Sequence, residues 1–374
     1  MSRPAPSIVL AAGGTAGHIE PALTLADEIM RQVPQSRITV IGTDRGLEAT
    51  LVPARGYRLI QVPATPMPRR VSMDLVRLPT RIEAATRRAR SALTSTDAEV
   101  VVGFGGYGAL PAYLAARRCR VPLVIHEANA KAGLANRLGA RLTPHVYATY
   151  PDCLPGALEM GLPIRPLIAQ LQRAERRSEA RLYFNLPDDQ PLLLVFGGSQ
   201  GAQHINGVLA LALDSLLAAG ICVLHGYGAA NVAPVERAGY RAVPYLDRMD
   251  LAYAAADFAL VRAGAMTCAE LAAVGLPAAY VPLPIGNGEQ RLNALPVVRA
   301  GGGLLVDNQD LTAQWLATTV PGLLHDAARV ARMSDAARQR GVPDAAPRLA
   351  AVVLDIAGRR QDEIRTRARD GEQT

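Results

Sequence analysis

Short apolar runs alternate along this chain with segments whose apolar residues recur at helical spacing. In the first half, residues 8–12, 38–42, 100–103 and 122–125 read as strands, and 21–31 and 111–116 as helices. The second half repeats the rhythm, with strands at 192–196, 222–224, 258–261 and 278–281. Its helices fall at 205–217, 249–255, 267–274 and 349–356, and the charged stretch from Arg359 to Thr374 reads as a fraying tail. This rhythm predicts an α/β protein, with mostly parallel sheets covered by helices on both faces.

Two glycine clusters punctuate it in the same way. Gly13-Gly14-Thr15-Ala16-Gly17-His18 follows the first strand, and Gly197-Gly198-Ser199-Gln200-Gly201 follows the strand at 192–196, 184 residues later. Such a turn between strand and helix aims backbone N–H groups at one spot beside the positive end of the helix dipole, which favours an anion. On this pattern alone the two are equivalent phosphate loops, one per domain. At 374 residues two domains are expected. Gly161-Leu162-Pro163-Ile164-Arg165-Pro166 is the candidate linker, and the polar run from Gln170 to Glu179 follows it before regular structure resumes. The domains are then 1–163 and 164–345, with a C-terminal segment, 346–374, expected to pack back on the first.

Charge changes this picture. Residues 1–163 hold 19 Lys and Arg against 12 Asp and Glu, whereas 164–374 hold 21 of each, so the whole +7 lies in the first half. That asymmetry suggests an anionic partner. With 4% aromatic residues and one Trp, stacking on bases has little to work with, which disfavours nucleic acid. Arg69, Arg70, Arg77, Arg81 and Arg88, with Leu75 and Ile82 among them, suit a segment resting on anionic lipid; a solvated helix face is the alternative. Pro79 interrupts any single long helix there. No stretch approaches the roughly 20 apolar residues of a membrane span, and no signal peptide is evident, so a cytoplasmic protein is expected. Cys119, Cys153, Cys222 and Cys268 have no metal or disulfide spacing and read as buried free thiols.

The candidate chemistry lies at strand ends. The first loop is neither G-x-G-x-x-G nor G-K-[ST], which disfavours a dehydrogenase and a P-loop NTPase. His18 would face whatever the loop holds and could act as general base, or it could simply cap the helix. Phe104 to Pro111 and His126-Glu127-Ala128-Asn129 should converge on the same crevice. Thr267 and Glu270 fit a capping box, or Glu270 holds a ribose diol. Gln290 and Asn293 sit in a polar loop suited to sugar hydroxyls. Together these describe a nucleotide-sugar site.

In this order the motifs become recognisable: Gly13-Gly14-Thr15-x-Gly17-His18, Gly103-Phe104-Gly105-Gly106-Tyr107, His126-Glu127-x-Asn129-Ala130, Gly133-Leu134-Ala135-Asn136-Arg137, Gly198-Ser199-Gln200-Gly201, Arg262-x-Gly264-Ala265-x-Thr267-x-x-Glu270 and Gln290-x-x-Asn293-Ala294. Over about residues 7 to 358 the chain resembles glycosyltransferase family 28, in particular its actinobacterial N-acetylglucosaminyltransferases of lipid II synthesis. The resemblance implies a GT-B fold, two Rossmann-like doubly wound domains with an interdomain cleft, and no metal or cofactor. It implies inverting transfer from UDP-N-acetylglucosamine to the muramyl 4-hydroxyl of lipid I. Carried over by motif, Glu270 holds the ribose, the backbone at Leu246 the uracil, and Ser199 with Arg165 the diphosphate. Ala265, Met266, Thr267, Cys268 and Ala269 line the donor site, and Gln290 and Asn293 contact the sugar. On the acceptor side stand Thr15, Ala16, Gly17 and Asn129, with His18 as base and Glu127 as second candidate. The two glycine loops then cease to be equivalent, the first facing acceptor and the second donor. Implied partners are the anionic cytoplasmic face of the cell membrane and the cell-wall and division machinery. Ala16, Ala128 and Glu289 stand where many members have Gly, Gln, and His or Gln. A UDP-N-acetylglucosamine 2-epimerase or another GT-B transferase is the alternative.

Overall fold

The structure is a computed structural model that describes residues 5–44, 46–64, 73–198, 201–285 and 287–371. It divides into two compact units, one running through Ile164 and resuming at Asp344, the other Arg165–Pro343.

In the first unit, β1 (Ser7–Ala12), α1 (Ala16–Gln32), β2 (Arg37–Thr43), α2 (Glu48–Ala54), β3 (Arg58–Val62), α3 (Met73–Ser95), β4 (Val100–Gly105) and α4 (Ala109–Cys119) come first. Then follow β5 (Leu123–Glu127), α5 (Leu134–Gly139), β6 (His145–Ala148) and β7 (Leu158–Glu159). All seven strands are parallel, in the order β3-β2-β1-β4-β5-β6-β7. Successive residues of a strand point to opposite faces, so one run of apolar residues serves two cores. Ile8, Leu10, Val100 and Val102 pack with α1, while Val9, Ala11, Val101 and Ile125 pack with α3 and α4.

The second unit holds α6 (Pro166–Ala169), α7 (Arg173–Tyr183), β8 (Leu192–Phe196), α8 (Gln203–Ala218), β9 (Cys222–Gly226), β10 (Tyr240–Val243), α9 (Met249–Ala255) and β11 (Phe258–Val261). It continues with α10 (Ala265–Val274), β12 (Ala278–Tyr280), α11 (Glu289–Arg299), β13 (Gly303–Leu305), α12 (Ala313–Leu324) and α13 (Ala327–Arg338). Its six parallel strands run β10-β9-β8-β11-β12-β13, the same winding as the first six of the other sheet. In each sheet the strand carrying the glycine turn, β1 or β8, lies where the winding reverses, which is where such folds bind ligands.

Three expectations need correcting. The run 170–179 is largely α7, because three arginines one turn apart find buried acceptors. Arg173 donates to the carbonyls of Tyr253, Gly275 and Ala256, Arg177 to Asp257, and Arg181, 1% exposed, to the Ala255, Pro187 and Gln190 carbonyls and Asp257. Burial pulls the Arg173 guanidinium down to about 10. Second, α3 continues through Pro79, which is exposed, so the carbonyl a turn earlier can meet water. Third, the tail is helix: α14 (Ala345–Gly371) extends well beyond Arg359. Of the cysteines, Cys222 and Cys268 are buried, but Cys119 and Cys153 are only half-buried.

Helix α14 belongs to the first unit. Leu349, Ala350, Val353, Ile356 and Ala357 form one apolar stripe against the β1 core. Beyond the stripe, buried Gln361 donates from Nε2 to both oxygens of Glu99, each at 2.9 Å, and Glu99 Oε2 accepts from Ser7 N at 3.0 Å. Gln361→Leu removes the side-chain donor from a buried carboxylate and should destabilise the chain by about 1–3 kcal/mol. Denaturant unfolding measures this; an unchanged midpoint would show that α14 docks through its apolar stripe alone.

Candidate functional site

In the first unit the loops after β1, β4 and β5 meet at the carboxyl edge of the sheet. Gly14 takes φ +91° and Gly106 φ +85°, and a Cβ on Gly106 would lie 2.1 Å from the Gly13 carbonyl oxygen. Only glycine permits that approach. Glu48, wholly buried on α2, holds the first loop: Oε2 accepts from Gly14 N at 3.2 Å, and Oε1 from the amide and hydroxyl of Thr43, each at 2.6 Å. Neither the apolar pattern nor the motifs singled out Glu48. A signal for it was the Thr43 to Glu48 spacing between a strand end and a helix start.

Thr15 is the N-cap of α1, and its Oγ1 lies 3.0 Å from His18 Nδ1. The helix starts at Ala16, earlier than apolar spacing suggested, so Ala16, Gly17 and His18 form its first turn. By helix geometry their N–H groups are mostly left for other acceptors. Half-buried His18 lies against the Gly105 turn, and burial lowers its affinity for a proton. The charges of Glu127 and Glu48 and a hydrogen bond to the Gly13 carbonyl oppose that fall.

Glu127 ends β5 and is 2% exposed. Oε1 accepts from Asn129 N at 2.9 Å and Nδ2 at 3.2 Å; Oε2 accepts from Asn136 Nδ2 at 2.9 Å and Gly133 N at 3.2 Å. Asn136 Oδ1 in turn accepts from the Tyr113 hydroxyl at 2.7 Å, whose oxygen accepts from Gly105 N at 3.0 Å. One buried relay therefore ties the β4 and β5 loops together. Asn136 was visible in a motif but without a role, and Tyr113 was missed because a buried tyrosine reads as core. His126, beside this relay, is a core residue: its Nε2 lies 2.7 Å from the Gly161 carbonyl oxygen, and burial pulls it down to about 4.

In the second unit Gly198 repeats the φ of +91°, and a Cβ on Gly201 would stand 2.3 Å from the Tyr227 carbonyl oxygen. Ser199 lies outside the described residues. Helix α10 begins at Ala265 with Gly264 as N-cap, so Thr267 sits in the first turn and the expected capping box is absent. Ala265, Met266 and Thr267 supply its unbonded N–H groups, whereas Cys268 N is taken by the Gly264 carbonyl. The buried Cys268 thiol, pushed upward by burial, belongs to the interior, and Ala269 follows on the same helix. Glu270, 4% exposed, places Oε1 at 3.3 Å from Arg165 Nη2, and Oε2 accepts from the Tyr253 hydroxyl at 2.8 Å. Leu246 packs beside Gly226 at the end of β9.

Gln290 and Asn293 lie on α11, not in a loop. Gln290 Oε1 accepts from Leu283 N at 3.0 Å. Asn293 is fully buried and donates to the Ala263 carbonyl at 3.3 Å, which anchors α11 to the end of β11. Arg262, quoted only as part of a motif, donates to the Val281 and Pro282 carbonyls and to Asn308, holding the segment that precedes α11.

The basic stretch is only partly described. Arg69 and Arg70 lie outside the described residues; Leu75 and Arg77 fall on the first turns of α3. Arg81 reaches the Ala64 carbonyl at 3.5 Å, Arg88 donates to the Gln61 carbonyl at 2.8 Å, and Ile82 is half-buried.

Residues 8–148 match the glycosyltransferase family 28 N-terminal domain, and 192–349 match the glycosyltransferase family 28 C-terminal domain. A relative from Mycolicibacterium vanbaalenii, a UDP-N-acetylglucosamine–N-acetylmuramyl-(pentapeptide) pyrophosphoryl-undecaprenol N-acetylglucosamine transferase, is 56% identical over 96% of this chain and 92% of its own. One of the same description from Rhodococcus erythropolis is 55% identical over 94% and 95%. The crystal structure of Acinetobacter baumannii MurG superposes with a TM-score of 0.75 at 26% identity, covering 94% of this chain and all of that one. A UDP-GlcNAc 2-epimerase from Neisseria meningitidis, at 13% identity and TM-score 0.64 over 93% of this chain and 100% of that one, shares the fold alone. With both halves matched in order on two equivalent doubly wound sheets, the GT-B architecture, this chain belongs to glycosyltransferase family 28.

Proposed function

We propose that this protein is a hexosyltransferase of peptidoglycan synthesis. It transfers N-acetylglucosamine from UDP-N-acetylglucosamine to the muramyl 4-hydroxyl of undecaprenyl-pyrophosphoryl-MurNAc-pentapeptide, giving lipid II. The observation that carries the reading is His18. An imidazole whose burial favours the neutral form sits between three glycine-bearing loops and is oriented by Thr15. The 4-hydroxyl oxygen attacks the anomeric carbon as its bond to the diphosphate oxygen breaks, with inversion. His18 takes the hydroxyl proton, and UDP carries away the electron pair of the broken bond. Glu127, the second candidate base, has both oxygens engaged by four donors; it positions Asn129 and favours the imidazolium as it forms. Thr15, Ala16 and Gly17 present the start of α1 to the acceptor pyrophosphate.

On the donor side, Ser199 and the start of α10 receive the diphosphate, and the backbone at Leu246 receives uracil. Glu270 receives the ribose diol by exchanging its Arg165 contact, which frees Arg165 for the developing charge on UDP. Gln290 meets the sugar. The enzyme works at the cytoplasmic membrane face, where α3 rests on anionic lipid, alongside the cell-wall and division machinery. Among the described residues no helix is long and apolar enough to cross a membrane.

His18→Ala should lower kcat by about a hundredfold or more while donor binding persists. UDP release should require acceptor; epimerisation of donor alone would overturn the reading. Because His18 must be neutral and burial lowers its pKa, the acid limb of kcat/KM should be centred below the ordinary imidazole value of 6.5. An acid limb centred at or above 6.5 would exclude His18 as base. Changing Arg77, Arg81 and Arg88 together to Glu should abolish binding to anionic vesicles. Undiminished binding would return α3 to a solvated helix face.

A further inference from the structure

At the amino edge of the first sheet, opposite the loops just described, a cavity of about 280 Å³ opens among the end of α4, the starts of β5 and β6, and α14. Arg117 lines it from α4, Arg120 from the cap that ends that helix, His145 from the first residue of β6, and Arg360 from α14. Among its lining residues only Glu363 is acidic. The lining therefore carries three arginines against one carboxylate even with His145 neutral.

The details describe a built pocket. Thr143 Oγ1 donates to the Leu123 carbonyl at 2.5 Å and accepts from His145 N at 3.1 Å, which fixes the turn that carries the imidazole. The Arg360 side chain is 16% exposed and pairs at 3.2 Å with Glu363, itself 59% exposed. A pair with one partner so open to water is weakly held, so Arg360 can turn to a stronger anion. The simplest competing account is that basic residues at the end of α4 answer its negative dipole. That account covers Arg117, and Arg118 is separately paired with Glu83 of α3 at 2.8 Å. It leaves Arg360 and His145 unexplained, because they arrive from other elements. A cavity below the roughly 300–1,000 Å³ of drug-sized ligand sites suits a small anion, and guanidinium groups match phosphate oxygens two at a time.

We propose that this cavity is a phosphate-binding site, separate from the transfer site, that takes the phosphate of an anionic lipid headgroup or free phosphate. The five residues of β5 put Glu127 about 13 Å from Leu123, at roughly 3.3 Å per step. A phosphate here therefore does not sit at the reacting centre. The site is independent of the transferase reading, and turnover of a water-soluble acceptor analogue separates the two.

The test compares the full chain with the double variant Arg117→Gln, Arg360→Gln and the conservative Arg117→Lys, Arg360→Lys. Titration uses inorganic phosphate in one arm, and vesicles of phosphatidylglycerol in phosphatidylcholine in the other, against pure phosphatidylcholine. Phosphate affinity should fall at least tenfold in the Gln variant and recover in part in the Lys variant, with acceptor-analogue turnover unchanged. A parallel loss of phosphatidylglycerol binding assigns the site to a headgroup; loss of phosphate binding alone assigns it to free phosphate. Equal binding of phosphate and of both vesicles by parent and Gln variant overturns the proposal. Should the double variant fail to fold, the exposed Arg117→Gln carries the same comparison, with an expected loss of about threefold.

Discussion

Parallel strand pairing is the constraint from which the rest of this molecule follows. Within each sheet every strand delivers its carboxyl end to the same edge, so the glycine turns and the loops beside them are brought together there. The winding then reverses at β1 and at β8, leaving room beside each for a turn that no side chain could follow. Gly14 and Gly198 share one backbone angle for that reason, although their loops serve different substrates in the proposed reaction. The pattern repeats because the topology repeats, and the chemistry differs because the residues after the glycines differ.

Carboxylates, buried or half-buried, anchor those loops and the helices around them. Glu48 holds the first glycine turn, Glu127 gathers the β5 loop, Glu99 receives α14, and the half-buried Asp257 receives α7. Three of the four collect amide and hydroxyl donors rather than cations. An isolated buried charge is costly, but several charge-assisted hydrogen bonds compensate it and fix geometry at the same time. This rigidity matters around His18, whose affinity for a proton is set by burial against the fields of Glu127 and Glu48. A loop free to shift either carboxylate would shift that balance, and the relay Gly105–Tyr113–Asn136–Glu127 holds one of them in place.

The strands were legible because a fully covered parallel strand is a simple apolar run, and the glycine turns because positive φ selects glycine. The family motifs pointed to His18 and Glu127 in the first unit and to Glu270 in the second. What stayed hidden depended on partners distant in sequence. Helix α7 is polar on its face and reads as loop, since the acceptors for Arg173 and Arg181 lie about 75 to 100 residues away. That Asn293 also anchors its helix shows only when the Ala263 carbonyl, 30 residues earlier, is found at its amide. Thr267 and Glu270 keep capping-box spacing, but Gly264 starts the helix sooner and frees Glu270 for Tyr253 and Arg165. Local spacing cannot distinguish a cap from a ligand when tertiary contacts decide where the helix begins.

The charge asymmetry gains meaning when placed on this frame. Residues 344–374 hold six Arg and six acidic groups, so the first unit keeps the whole +7 of the chain. In that unit Arg81 and Arg88 are partly occupied by backbone carbonyls beside β3, and Glu83 with Arg118 ties α3 to α4. Those arginines therefore shape the helix face as well as charging it. At the amino edge of the sheet, Arg117, Arg120 and Arg360 line one cavity in which Glu363 is the only acidic lining residue. A parallel sheet has two chemically unlike edges: here the carboxyl edge carries glycine turns and the half-buried imidazole of His18, and the amino edge carries guanidinium groups. In the proposed reaction the carboxyl edge takes the reacting sugar, which leaves the amino edge for the proposed phosphate site.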